Sequence, residues 1–172
     1  MMHMRRFGVI FGLLVLVLAG LGCYLYNRPA MPAVRRAAEG EKEVVSVFFP
    51  DEQGRLERKA VEVRKQLLDR ARADILFREL KEVRSIPDRL RLYELAMGAD
   101  GVLYLNVSKE FIDPGSPERE VAMVYSIVNS FAASFPGVRS VQLLVEGEPV
   151  YTRSGMLYML KPLQPNKELL ED

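Results

Sequence analysis

The sequence predicts an α+β domain, a predominantly antiparallel sheet with two helices packed on one face, preceded by one transmembrane helix. Three observations lead there. Residues 7–26 carry no charge at all. Two later segments, 67–83 and 117–134, repeat apolar residues at helical spacing. Short β-rich runs, each bounded by Gly, Pro, Asp or Asn, surround both segments. With 27% charged and 49% hydrophobic residues the chain has the composition of a folded protein. About 130 residues remain once the N-terminal region is set aside, enough for a single core.

The apolar run follows a short tail, residues 1–6, that ends in Arg5 and Arg6. Its length, about 20 residues, is what a helix needs to cross the hydrocarbon of a bilayer. A cleavable signal peptide has a shorter apolar core, about 7–15 residues, and ends at a small-x-small site. Ala19-Gly20-Leu21 and Leu21-Gly22-Cys23 fit that site poorly. The sole cysteine, Cys23, is the candidate lipidation site, with Gly22 suited to the position before it. Leu21 and Gly20 suit a lipoprotein box less well, and Tyr24, Leu25 and Tyr26 continue the apolar run, so a spanning anchor at 7–26 is the preferred reading. Arg28, Arg35 and Arg36 nearly balance Arg5 and Arg6 across the run, so charge decides little. The short leading tail places residues 1–6 in the cytoplasm and the domain outside the cytoplasmic membrane. Residues 27–42 read as a linker, 43–163 as the domain and 164–172 as a flexible C-terminal tail.

Within the domain, 44–49 is a β-rich run closed by Pro50 and the polar turn Asp51-Glu52-Gln53-Gly54. Residues 56–63 form a second, less regular strand. The helix over 67–83 is expected to bury Leu68, Ala71, Ile75, Leu76 and Leu80, with its charges solvated. Residues 90–97 and 102–107 read as a hairpin whose connection uses Gly98 and Asp100-Gly101. Leu103, Leu105 and Val107 share its core face. Ser116 is the expected N-cap of the second helix, Pro117 its first residue, and Glu118 and Glu120 favour the positive end of its dipole. Val121, Val124, Tyr125, Val128, Phe131, Ala132 and Phe135 form its apolar stripe. Pro136-Gly137 stops the helix, Val141, Leu143 and Val145 form a strand face, Glu146-Gly147-Glu148 turns, and 150–152 returns. Tyr151, Met156 and their neighbours over 151–159 read as a last strand or core-covering tail, or as an exposed β edge or Met/Tyr patch that docks a neighbour.

Candidate chemistry is sparse. The one histidine, His3, precedes the apolar run, and one cysteine allows no disulfide within the chain and no cysteine-rich metal site. No Ser-His-Asp or Cys-His arrangement is therefore available to the domain. The isolated turn glycines make no phosphate loop. Paired carboxylates remain, with Glu110 and Asp113 the best placed. Glu118 and Glu120 already have a dipole role, and Asp51 and Glu52 a turn role. A net charge of +1 gives no field for nucleic acid. The expectation is a non-enzyme with no catalytic, cofactor-binding or metal-binding residue.

Three stretches, VVSVFFPDEQG at 44–54, DGVLYLNVSKEF at 100–111 and FPGVRSVQLLVEGEPV at 135–150, carry a family resemblance. With PEREVAMVYSIVNSFAASFPGV leading into the last, the chain over 44–163 resembles the GerMN domain, named for a bacterial sporulation and spore-germination protein. The resemblance implies a non-catalytic, membrane-anchored envelope module that binds protein partners, self-association included, in envelope assembly or sporulation- and germination-type processes. The alternative is a peptidoglycan-binding or cell-wall-enzyme accessory module.

Overall fold

The computed structural model describes residues 41–170 except 66, 113–114 and 152–153. The expected anchor at 7–26, with Cys23, and the histidine His3 lie outside the described residues. Among the described residues no helix is long and apolar enough to cross a membrane.

Strands β1 (Lys42–Pro50) and β2 (Leu56–Arg64) pair antiparallel along their whole length. The Asp51 carboxylate shapes the turn between them by accepting from the N–H groups of Gln53 and Arg55, both at 2.8 Å. Helix α1 (Asp69–Glu82) follows, then β3 (Leu92–Met97) and β4 (Val102–Val107). A 3₁₀ turn (Lys109–Ile112) leads to helix α2 (Pro117–Ser134), and β5 (Ser140–Val145) and β6 (Glu148–Pro149) close the second sheet.

The sheet order is β3-β4-β5-β6, and the β1–β2 hairpin stands apart as a sheet of its own. One sheet was expected; the division has a physical cause. The outer edge of β1 is occupied by α2, where the hydroxyls of Ser130 and Ser134 accept from the N–H groups of Phe48 (2.8 Å) and Ser46 (3.3 Å). On β2, the Leu56 N–H donates to the Leu169 carbonyl at 2.6 Å. The β1 edge is thus occupied where another strand would have joined, and the β2 edge is met at Leu56. The pairings are antiparallel except β4 with β5, which are parallel. The connection between those two contains α2, the kind of crossover that parallel neighbours require.

The helices pack on each other, and each touches both β units, α1 at β1 and β3, α2 at β1 and β5. The core expected at Val124, Val128, Phe131 and Leu143 is present, each nearly or wholly inaccessible. Leu103, Leu105 and Val107 lie on the same core. Phe131 makes an edge contact with Phe77 and stacks on Phe135. Ser116 caps α2 as expected, its hydroxyl accepting from the Arg119 N–H at 3.3 Å.

The phase of α1 differs from expectation. Leu68 is exposed, and the buried face holds Ala73, Leu76, Phe77 and Leu80 together with Arg72 and Glu79. These two charges serve the hairpin instead of solvent. Arg72 pairs with Glu43 on β1 and donates to the Ser134 carbonyl at 2.9 Å. Glu79 pairs with Lys59 on β2 at 2.9 Å. The Lys59 hydrogen bond outweighs desolvation and holds the Glu79 carboxyl below its ordinary pKa. Arg70 reaches the other way and donates to the carbonyls of Tyr93 (2.7 Å) and Leu92 (2.8 Å) on β3.

The last hairpin is shorter than expected, with Glu148–Pro149 returning beside Leu144 and Val145. Glu146 and Gly147, both at positive φ, form its two-residue turn. In the β3–β4 connection Gly101 has positive φ, and a Cβ there would lie 2.9 Å from the Gly137 carbonyl. Gly98, expected to share that conformational role, has no positive φ. The stretch expected as a flexible tail is tied down over its described part. Asn129 Nδ2 donates to the Asn166 carbonyl, the Asn166 N–H donates to Asn129 Oδ1, both at 3.0 Å, and Leu170 bridges to Leu56.

Helix α1 ends in a left-handed cap at Arg84, φ 57, with the Arg84 N–H on Lys81 and the Ser85 N–H on Leu80. This is the six-to-one closure in which glycine is the usual residue. Arg84→Gly is therefore expected to stabilise the domain by roughly 1 kcal/mol, since it removes the left-handed strain; a lowered urea midpoint would contradict the cap geometry. Ser130→Ala strands the Phe48 amide and is expected to cost about 1–3 kcal/mol. Ser126→Ala, which removes a buried hydroxyl that has no partner, serves as the control and is expected to cost less by the same denaturation measurement.

Candidate functional site

Glu110, the better placed of the sequence-derived carboxylates, sits in the 3₁₀ turn that buries Phe111. The turn is anchored next door, where Ser108 and Arg91 exchange bonds: the Ser108 N–H donates to the Arg91 carbonyl, and the Arg91 N–H to the Ser108 hydroxyl. Glu110 lines an open polar cleft of about 520 Å³ with Asp88, Tyr93 and the cations Lys81, Arg89 and Arg91. Asp113, its sequence partner, lies outside the described residues. A hydrogen bond from the Ser108 side chain and one from its own backbone N–H, with Lys109 and Arg91 nearby, hold the Glu110 carboxyl below the usual range. A general acid needs the opposite shift. Among the described residues no group of three or more His, Cys, Asp or Glu side chains is placed to hold a metal ion.

The second surface is the segment after β6. Residues 154–159 do not form the strand that the alternation over 151–159 suggested; they are irregular and pinned at separate points. The Ser154 N–H and hydroxyl donate to the Glu120 carboxylate at the start of α2. Gln142 of β5 donates to the Met159 carbonyl at 2.9 Å, and the Met159 side chain is buried in the core. Between these anchors Met156 and Tyr158 are 66% and 58% exposed, and Tyr151, before the first anchor, is 70% exposed. The segment covers core through Met159, as one of its two sequence readings expected, and leaves these three apolar side chains exposed.

A third feature went unforeseen: a cleft of about 400 Å³ where the end of β1, the C-terminal cap of α1 and the first turns of α2 meet. Arg84, Ser85 and Arg119 line it. The sequence signal was slight, since the placement of Arg84 depends on a left-handed cap with no glycine to mark it.

Residues 46–151 match the family described as Germane, sporulation and spore germination. The chain belongs to this family. The match begins in β1 and runs past β6, so the Germane unit contains both sheets and both helices. Solved structures have the same fold. The tandem GerMN domains of the sporulation protein GerM from Bacillus subtilis align with a TM-score of 0.55 at 14% identity, covering 73% of this chain and 45% of that one. The first GerMN domain of the same protein gives 0.50 at 15%, covering 72% and 96%. A candidate lipoprotein from Clostridium perfringens gives 0.50 at 22%, covering 74% and 89%. At these identities the likeness is one of fold. Comparison with curated proteins gives no match.

The Glu110 environment gives a test. The Glu110 carboxyl is expected to titrate below the ordinary glutamate range in an NMR pH titration. Because the folded pKa is depressed, any stability it contributes is present above the unfolded value and lost as pH falls through the folded one. A Glu110 pKa near neutrality would reopen the acid–base reading.

Proposed function

We propose that this Germane-family chain is a membrane-tethered, non-catalytic envelope protein whose domain binds a protein partner in envelope assembly or sporulation- and germination-type processes. The observation that carries partner binding is the exposure of Met156 and Tyr158 on a stretch fixed at Ser154 and Met159, with Tyr151 exposed just before it. Tyrosine and methionine offer large contact area, and anchoring the backbone beforehand lowers the entropy lost on docking. The uncharged run at 7–26 supports the tether, with lipidation at Cys23 as the rival means of attachment. Held at a membrane, the domain has a raised effective concentration for any partner there. The family description supplies the setting.

A photo-crosslinker placed at Tyr158 in the full chain in cells is expected to give a discrete adduct with another envelope protein. Tyr151→Ser with Met156→Ser is expected to remove that adduct while leaving the melting temperature unchanged. A crosslinker at exposed Ala60 on the hairpin serves as the reference. Identical patterns at the two positions would sink the assignment, and an adduct of twice the chain mass would assign the patch to self-association.

A further inference from the structure

We propose that the cleft between the end of β1, the cap of α1 and the start of α2 binds a peptide that ends in a free carboxylate. The proposal is independent of the tyrosine–methionine patch. The cleft holds about 400 Å³, inside the range of small-ligand sites. Two guanidinium groups line it, those of Arg84 and Arg119, and neither side chain has a hydrogen-bond or ion-pair partner among the described residues. Arg58, Arg70, Arg72, Arg78 and Arg139 donate to protein atoms, whereas Arg64, Arg89 and Arg91 share the unpaired state of these two but do not line this cleft.

Ser85, also in the cleft lining, is 7% exposed, and its hydroxyl is buried without a partner. A buried hydroxyl is normally paired, so a small rotation toward a ligand in the cleft would give this one the partner it lacks. Among the described residues no carboxylate lines the cleft to neutralise the two cations. Nor are they part of a general positive field, because residues 41–172 hold 19 Lys and Arg against 22 Asp and Glu. The backbone adds an independent observation. Arg84 occupies the left-handed position that glycine fills at lower strain, and strain of this kind gathers where a side chain has a task.

Two unpaired arginines lining one cleft favour an oxyanion, and the rest of the wall says which one. Guanidinium forks match a planar carboxylate. Pro50, Ile86, Pro87 and Met123 put apolar surface beside the cations. That surface suits the alkyl side chain of a terminal residue and disfavours the hydroxyls of a sugar or glycerol phosphate. The volume admits about one or two residues, so a chain end fits better than a chain passing through.

The test is a titration of the full chain in a non-ionic detergent, followed by NMR at the Ser85 amide and the Arg119 side chain. The probes are N-acetyl-alanyl-alanine as the free acid, the same dipeptide as its C-terminal amide, and inorganic phosphate. The acid is expected to give saturable shifts at both positions, and the amide to bind at least roughly tenfold more weakly, the loss of one charge-assisted contact. Arg119→Gln and Arg84→Gly are each expected to weaken the acid by a similar factor. Arg84→Gly does so while raising the melting temperature, a combination that a purely structural arginine cannot produce. Equal binding of acid and amide, or no shift at Ser85 with either, overturns the proposal. Phosphate binding more tightly than the acid overturns the peptide assignment.

Discussion

Strand β1 is paired on one side only, and its other edge lies inside the protein, so its amide groups need partners that no strand supplies. Helix α2 provides them. Residues four apart on a helix rise by about 6 Å, and alternate residues of a strand by about 6.7 Å. Ser130 and Ser134 therefore meet the amides of Phe48 and Ser46 nearly in register. The Ser134 hydroxyl also donates to the Ser46 carbonyl at 3.3 Å. Without these contacts the edge would carry buried unpaired groups, or would have to open to water.

Once β1 is fixed against α2, the rest of the packing is constrained. The apolar side of α2 still faces the four-stranded sheet, and Phe131 links it to α1 through Phe77. The α2 C-terminus then lies where Arg72 can reach the Ser134 carbonyl, pair with Glu43 and sit 5.6 Å from the Phe135 ring centroid. One buried arginine thus joins a helix end, a strand and a second helix. The ion pair from Glu79 to Lys59 fixes the far strand of the hairpin to the same helix. Arg72 and Glu79 of α1 are interior fittings, and the left-handed cap that ends the helix places Arg84 and Ser85 in the lining of the 400 Å³ cleft.

Most of the architecture was legible because the side-chain periods were clean. The alternation of Leu103, Leu105 and Val107 and the helical stripe through Val124, Val128 and Phe131 each named a buried face correctly. Hidden were features that depend on distant partners. Serine at 126, 130 and 134 reads as the polar side of a helix, and only the fourfold spacing within an otherwise apolar run hints at an edge to be covered. Arg72 and Glu79 read as solvated because nothing local announces Glu43 or Lys59. The parallel pairing of β4 with β5 is likewise a product of tertiary packing. For the sites, Glu110 was located from sequence but not its ring of cations, and the Arg84 cleft joins three segments far apart in the chain.

The strap that carries the end of the described chain back to Leu56 has a mechanical consequence. Chain enters the domain at Lys42, at one end of the hairpin, and the strap finishes beside Leu56, at the other. The two points are separated along β1 by about 27 Å, eight strand steps. Tension between Lys42 and Leu170 is therefore directed along β1, and any load that the Leu56 contacts pass on reaches the β1–β2 ladder as shear. A domain threaded in this way is suited to hold its shape while its two ends are pulled apart.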